Sequence, residues 1–572
     1  MNRDELARRS RQLMQPRRSY RWSEVLAATR TRLAAVVVVC LCCAAPASAQ
    51  FDTVINAPPA NVPSSLGSST QLNVAELGRM PVHFVAGSPD GTSTNIEVNL
   101  YGGRLSRTFS ANAGSVVNFI DGEYSTSFMS FNAGSELLVS GGTSMFDDTG
   151  PRVNAYSGSR VEISGGAMRS SIYAMQDSRV TVFGGETAYV SAEANSEIEI
   201  SGGMVFGLMA EPDSNVTIRG GNFGFAFMAS AGSNVEFIGG EYKHNGTAFT
   251  ETEISLSDGD LFTGVFADGS PFIFTSENSD ALSGVKLTQH SLPPPDFNPI
   301  LVDTANPSMV SGLRAGQSMT LGTGGVLNRN FAIVDASLDI DGGTLGKTSE
   351  AIGSTINLRS GRISEVFQAY EDSIINVSGG VVEQFFFAQP GSTVNISGGQ
   401  ISSAFFPAAR SEINVTGLAF LVNGEPLPGL TPDLPFLLSK RNVNLSGILS
   451  DGTHFSFDLN ADGQAPFQFS PDAKLTLALV APLPGDYNAD GVVDAADYSV
   501  WRDNRDAPAG TLPNDPSGEP IGAAQLVAWR ANYGAGLSTP AAASVPEPGN
   551  LLAMLVVVGL GARLIRHRPT PA

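Results

Sequence analysis

The sequence predicts an all-β protein dominated by parallel β-solenoid coils: two solenoid blocks, each closed by a β cap, followed by a small α-helical module. Three observations lead there. Glycine-marked corners recur at a near-constant interval, and a short strand of alternating apolar residues precedes each corner. The composition is rich in glycine, 62 of 572 residues, and only 16% of the chain is charged. That balance fits neither a helical bundle nor a charged disordered chain.

The period comes first. Ser-Asn-Val-Thr-Ile-Arg-Gly-Gly ends at Gly221, and close variants end at Gly166, Gly185, Gly203 and Gly240. Corners begin at Gly102, Asp121, Gly141, Gly165, Gly184, Gly202, Gly220 and Gly239, in steps of 19, 20, 24, 19, 18, 18 and 19 residues. A second series runs through Gly324, Gly342, Ser360, Gly379, Gly398 and Thr416, in steps of 18, 18, 19, 19 and 18. Within a unit, Val216 and Ile218 share one face of a strand. The glycine pair permits a sharp bend, and an aromatic-rich strand follows, as at Phe223, Phe225 and Phe227. Eighteen residues cannot close a core alone, but stacked coils bury each other's apolar faces. At ~4.8 Å per coil, eight coils span roughly 40 Å and six roughly 30 Å.

An open end of such a stack is an exposed sheet edge that needs a cover. Leu261–Phe272 and Asn444–Phe455 are related hairpin-like segments with Asp-Gly turns, one after each series. They read as caps, separated by a linker at Pro293-Pro294-Pro295. The expected boundaries are a signal peptide over 1–49, a leader or cap over 50–95, and a first solenoid block over 96–245. A β cap with a Pro-rich linker covers 246–303, and the second block covers 304–418. A second β cap covers 419–482, a calcium module 485–536, a linker 537–544 and a sorting tail 545–572.

Both ends read as addresses. Nine arginines lie within residues 1–32, then Leu33–Ala45 is apolar and Ala47-Ser48-Ala49 suits cleavage before Gln50. The Arg8-Arg9 and Arg17-Arg18 pairs raise twin-arginine export, although neither abuts the apolar run. Cys40, Cys42 and Cys43 all fall inside that run, so the mature chain is expected to lack cysteine, and with it disulfides, thiolate metal sites and cysteine nucleophiles. The net charge is −21 despite the basic ends, which leaves an acidic body ill suited to nucleic acid. At the C-terminus, Pro546-Glu547-Pro548 precedes the apolar run Leu551–Leu560 and then Arg563, Arg566, His567 and Arg568. This order resembles the PEP-CTERM sorting signal of bacteria that secrete exopolysaccharide. The resemblance implies a membrane sorting protease that cuts near Pro-Glu-Pro. A plain anchor with its basic side inward is the alternative. Either gives transient or permanent membrane association, with the body on the cell surface, in the outer envelope or in the extracellular matrix.

Residues 486–497 read Asp-Tyr-Asn-Ala-Asp-Gly-Val-Val-Asp-Ala-Ala-Asp. Oxygen-bearing side chains stand at positions 1, 3, 5, 9 and 12, and Gly491 stands at the sharp turn of position 6. A hard, high-coordination cation needs that arrangement. The loop resembles one half of a type I dockerin. Carried over, Asp486, Asn488, Asp490 and Asp497 are side-chain ligands, Val492 offers its carbonyl, and Asp494 coordinates directly or through water, for one calcium ion. A second half lies 28 residues on, where Trp529 matches Trp501. There position 1 becomes Asn514, position 3 Pro516, position 5 Gly518 and position 12 Gln525, so no second ion is expected. Dockerins dock onto cohesins; the altered second loop leaves a cohesin-like partner and a calcium-stabilised spacer both open.

Parallel β-helices often act on polysaccharides. The best catalytic candidates are Asp147 and Asp148 with Arg152, in the coil with the longest step. Adjacent aspartates in a loop are usually solvated turn formers. Within residues 50–482 the histidines, His83, His244, His290 and His454, are scattered, and no nucleophile elbow stands out. The expectation is therefore a non-enzymatic, exported structural or adhesion protein associated with extracellular polysaccharide. The alternative is a polysaccharide hydrolase or lyase carrying an attachment module.

Overall fold

The computed structural model describes residues 50–536, apart from 106–107, 125–127, 145–151, 225, 277–280, 308–309, 402–403, 433, 461–468, 482, 489–490 and 516. The fold is a parallel β-solenoid of about 18 turns with very little helix. Along one face, Thr53–Ala57 pairs in parallel with Thr70–Val74, and that strand pairs with Ile96–Leu105. The ladder continues through Ser115–Tyr124, Glu136–Val139, Arg160–Ala167, Arg179–Ala192, Glu197–Ala210, Asn215–Phe223 and Asn234–His244. From Ile300 onward, Ile300–Val302, Ser318–Gly322, Ser337–Leu345, Thr355–Ile363, Ile374–Val382, Thr393–Ile401 and Glu412–Val422 stack likewise. These later strands belong to separate sheets from the earlier ones.

The alternating pattern explains the register. Val180, Ile198, Val216 and Val235 lie directly above one another, as do Val182, Ile200, Ile218 and Phe237. All eight are at most 1% exposed. A one-residue slip would turn each of them outward, so burial fixes the register. Each aliphatic side chain so buried contributes ~1.5–3 kcal/mol.

Both glycines of a corner are needed, for different reasons. A Cβ on Gly184 would sit 2.2 Å from the Ser164 carbonyl oxygen of the coil below, whereas Gly185 has φ of +74°. Gly184→Val is expected to lower stability by about 1–3 kcal/mol in urea unfolding, because the clash is with backbone. Gly67→Ala, which meets nothing within 4 Å, should leave the transition in place.

The serine that opens each repeat has a structural role the spacing did not reveal. Ser178, Ser196 and Ser214 are buried, and their hydroxyls donate to the carbonyls of Met175, Glu193 and Glu211 at 2.6–2.7 Å. The residues just before them, Asp177, Asn195 and Asp213, take positive φ, so each Asx-Ser pair makes the turn opposite the glycine corner.

Two features differ from the sequence reading. Residues 50–95 contribute rungs to the stack rather than a separate leader, because Leu72 and Val74 continue the buried columns of Val98 and Leu100. The hairpins are insertions near the end of each ladder. Leu261–Phe266 and Pro271–Thr275 pair antiparallel, the former also against Asn234–His244, and the chain then returns as Val285–Gln289, parallel to that strand. Asn444–Leu449 and His454–Asp458 repeat the arrangement before Lys474–Leu479 returns parallel to Glu412–Val422. In both hairpins the Asp-Gly aspartate reaches a corner: Asp268 accepts from the Gly221 N–H at 3.1 Å and Asp451 from the Gly399 N–H at 2.7 Å.

The proline segment is held in place. Arg314 donates to the Pro293 carbonyl at 2.7 Å and pairs with Glu241 at 2.8 Å, while Gln317 donates to the Asp296 carbonyl at 3.1 Å. Ile273 of the first hairpin packs on Ala332, Val334, Ile352 and Tyr370, and Lys243 meets Asp335 at 2.6 Å.

Candidate cation loop and outer faces

Two helices follow the last rung, α1 (Ala495–Asp503) and α2 (Ala523–Asn532). They are related by the 28-residue repeat, and the relation is expressed in hydrogen bonds. Trp501 donates its indole N–H to the Gly522 carbonyl at 2.8 Å, and Trp529 donates to the equivalent Asp494 carbonyl at 2.6 Å. Tyr487, Trp501, Leu512 and Ile521 form the small core between them. Tyr487 also donates its hydroxyl to the Gln525 carbonyl, and burial, followed by the nearby Asp515 and Asp497 carboxylates, raises its pKa well above the ordinary phenol value.

Of the predicted ligands, Asp486, Asn488 and Val492 belong to the loop before α1, Asp494 is its N-cap, Asp497 lies in its first turn, and Asp490 lies outside the described residues. Asp497 is fully buried and Asp486 is 1% exposed. One oxygen of Asp497 accepts from the Tyr487 and Asn488 N–H groups at 2.7 and 3.0 Å, and the other accepts from the Asp494 N–H at 2.8 Å. Asp494 caps the helix in return, accepting from the Ala496 N–H at 2.7 Å. Asp486 accepts from the Gly491 N–H at 2.9 Å, and Gly491 takes φ of +87°, the sharp turn that its position in the motif requires. Val492 forms an antiparallel bridge with Gly536. Among the described residues, no group of three His, Cys, Asp or Glu side chains is arranged to hold a metal ion.

The second loop departs from the alignment in its register. Asn514 turns away from its own loop and donates to the Asp486 carbonyl at 3.0 Å and to the Asp486 carboxylate at 3.3 Å. The oxygens that gather in the second loop come from one residue further on. Gln525 directs its amide nitrogen at Asp515 Oδ2, Ser517 Oγ and the Glu519 carbonyl, at 2.9, 2.7 and 3.1 Å. Burial raises the pKa of Asp515, but hydrogen bonds from Gln525 and Ser517 outweigh it and hold the group below its usual value. The alternation Asp515-x-Ser517-x-Glu519 was the sequence signal for this set, and aligning on the helices concealed it by one position.

Of the catalytic candidates, Asp147 and Asp148 lie outside the described residues. Arg152 is engaged structurally: its Nε donates to Asn154 at 3.0 Å, and its guanidinium lies 3.6 Å from the centre of the Tyr173 ring. His244 meets Asp260 at 3.3 Å, and Asn245 also binds Asp260, so this pair anchors the first inserted segment.

The outer faces carry polar columns in register. Asn73, Asn99 and Asn118 each donate a side-chain N–H to the asparagine one coil below, at 2.9, 3.0 and 2.7 Å. Asn357, Asn376, Asn395 and Asn414 do the same above Asp339, at 2.7–2.9 Å. Arg179 and Arg219 lie 3.5 Å from Glu197 and Glu199, respectively, beside a depression of about 500 Å³ lined also by Asn195, Asn215 and Thr217. These half-exposed pairs are worth little energetically, about 0–1 kcal/mol each.

No family model, no curated protein and no solved structure matches the chain. Among the described residues no helix is long and apolar enough to cross a membrane, and both the N-terminal apolar run and Leu551–Leu560 lie outside them.

Proposed function

We propose that the protein is an exported, non-enzymatic structural or adhesion component of the cell surface or extracellular matrix. In this reading two solenoid blocks form a rigid wall, a dockerin-like module binds one calcium ion, and the PEP-CTERM-like tail directs sorting. The observation that carries it is the disposition of polar side chains. They lie in outward columns bonded from coil to coil, as in the Asn357–Asn414 ladder. A lattice repeated at coil spacing suits weak, multiple contacts with an extracellular polysaccharide, where linked contacts add avidity.

The donor set of the first loop fits calcium. Every ligand is oxygen, and the Asp486 and Asp497 carboxylates are almost wholly withdrawn from water. A bound calcium ion would supply positive charge to those carboxylates and tie the loop to α1. The paired Trp501 and Trp529 bonds support a module of two related halves. Its partner would be a cohesin-like protein or the polysaccharide itself.

The test is a glycan array probed with the full chain beside a turnover assay on the same sugars. Binding without turnover is expected. Turnover that disappears in Asp147→Asn and Asp148→Asn would overturn the reading in favour of a polysaccharide-degrading enzyme.

A further inference from the structure

The geometry points to Gln525 as an internal substitute for the second cation: its side-chain amide occupies the centre of the second loop and makes that half of the module independent of metal. The inference rests on the calcium reading of the first loop only for the contrast between the two halves.

Equivalent atoms make the case. Asp497 and Gln525 stand 28 residues apart at the same point of α1 and α2. One oxygen of each binds the backbone N–H just ahead of its helix. Asp497 accepts from the Asp494 N–H at 2.8 Å, and Gln525 accepts from the Gly522 N–H at 2.7 Å. The other terminal atom has opposite polarity in the two halves. In the first loop it is a carboxylate oxygen, which attracts donors or a cation. In the second it is an NH2 group, which requires acceptors, and the loop supplies three at 2.7–3.1 Å from Asp515, Ser517 and the Glu519 backbone. The amide orientation follows from chemistry, because a flipped side chain would set its oxygen against those three oxygens. Gln525 is fully buried, so its hydrogen bonds are made without competing water. An oxygen cage that would otherwise need a cation is thereby satisfied by a neutral donor.

Restoring a carboxylate should restore the need for an ion. In Gln525→Glu the new oxygen would face Asp515 Oδ2 with no donor between them, and like charges at that range disfavour each other. Calcium titration calorimetry on the full chain should give one ion for the wild type and two for Gln525→Glu. Thermal unfolding followed by tryptophan fluorescence supplies an independent readout. In chelator, Gln525→Glu should melt lower than the wild type and recover on adding calcium. Gln525→Ala should melt lower in both conditions, since it loses the donor without gaining a ligand. An unchanged stoichiometry in Gln525→Glu, with a melting temperature that calcium does not move relative to the wild type, would overturn the inference. A wild type that binds no ion beside a Gln525→Glu variant that binds one would leave this inference standing and refute the calcium reading of the first loop.

Discussion

Asp497→Ala should unfold the C-terminal module while the solenoid remains intact. Three backbone N–H groups, those of Tyr487, Asn488 and Asp494, would lose their buried acceptor together. Each buried donor left without a partner costs about 1–3 kcal/mol. The module rests on a small core of Tyr487, Trp501, Leu512 and Ile521, and domains of that size have little stability in reserve. The tryptophans of the sequence are Trp22, Trp501 and Trp529, so in a chain starting at Gln50 the fluorescence reports on this module alone. A red-shifted emission with an unchanged β signal in circular dichroism is expected. Asp497→Asn keeps an acceptor oxygen and should retain more of the fold while losing the proposed calcium ion. Native emission from Asp497→Ala would show that the buried carboxylate does not organise the loop.

The second large effect belongs to the solenoid. Phe237→Ala should lower the stability of the first ladder by about 3–5 kcal/mol, the range for truncating a buried aromatic ring. Phe237 is fully buried in the Val182, Ile200 and Ile218 column, between Ile218 and Leu287 of the return strand. Its ring centre lies 5.4–5.8 Å from those of Phe227, Phe266, Phe272 and Phe274. The residue therefore couples the last regular coils to the inserted hairpin, and its loss leaves a cavity among rings that cannot collapse independently. The outward Thr217→Ala, on the same ladder, should change stability by no more than about 0.5 kcal/mol. Equal urea midpoints for the two variants would deny Phe237 its place in the core.

The solenoid itself was legible in the sequence because its corners admit few residues. A glycine pair such as Gly184-Gly185 answers two demands at once, close backbone approach and a left-handed turn, and the spacing of such pairs exposes the coil length. Features without that signature were harder to read. The strands Thr53–Ala57 and Thr70–Val74 have no regularly spaced glycine pair behind them, yet they continue the same ladder. The return strands Val285–Gln289 and Lys474–Leu479 are separated from their neighbours by long insertions, which breaks any period. Local sequence identified both hairpins but could not show that the chain re-enters the stack after them, since pairing across so many residues leaves no local trace.

At the module, Asp486 and Asp497, two of the residues that side-chain chemistry singled out in the first loop, are brought to the same turn. The second loop was not legible, because its helix keeps the 28-residue offset while its oxygen set is displaced from Asn514 to Asp515. Asn514 is occupied instead with Asp486 of the first loop. The loop contains no charged residue at the positions the alignment selects, and only the Gln525 contacts reveal which oxygens converge.

Parallel, in-register stacking of the coils is best tested by cross-linking across one rung. Thr181 pairs with Glu199, and Glu199 pairs with Thr217 on the next coil. Residues facing each other across adjacent strands fall within the Cα separation a disulfide spans, roughly 4.4–6.8 Å, whereas residues two rungs apart do not. In a chain starting at Gln50, which lacks Cys40, Cys42 and Cys43, Thr181→Cys with Glu199→Cys should oxidise to an intramolecular disulfide in the folded state. Thr181→Cys with Thr217→Cys should stay reduced under the same conditions. Bridging of the second pair in preference to the first would contradict the stacked-coil account.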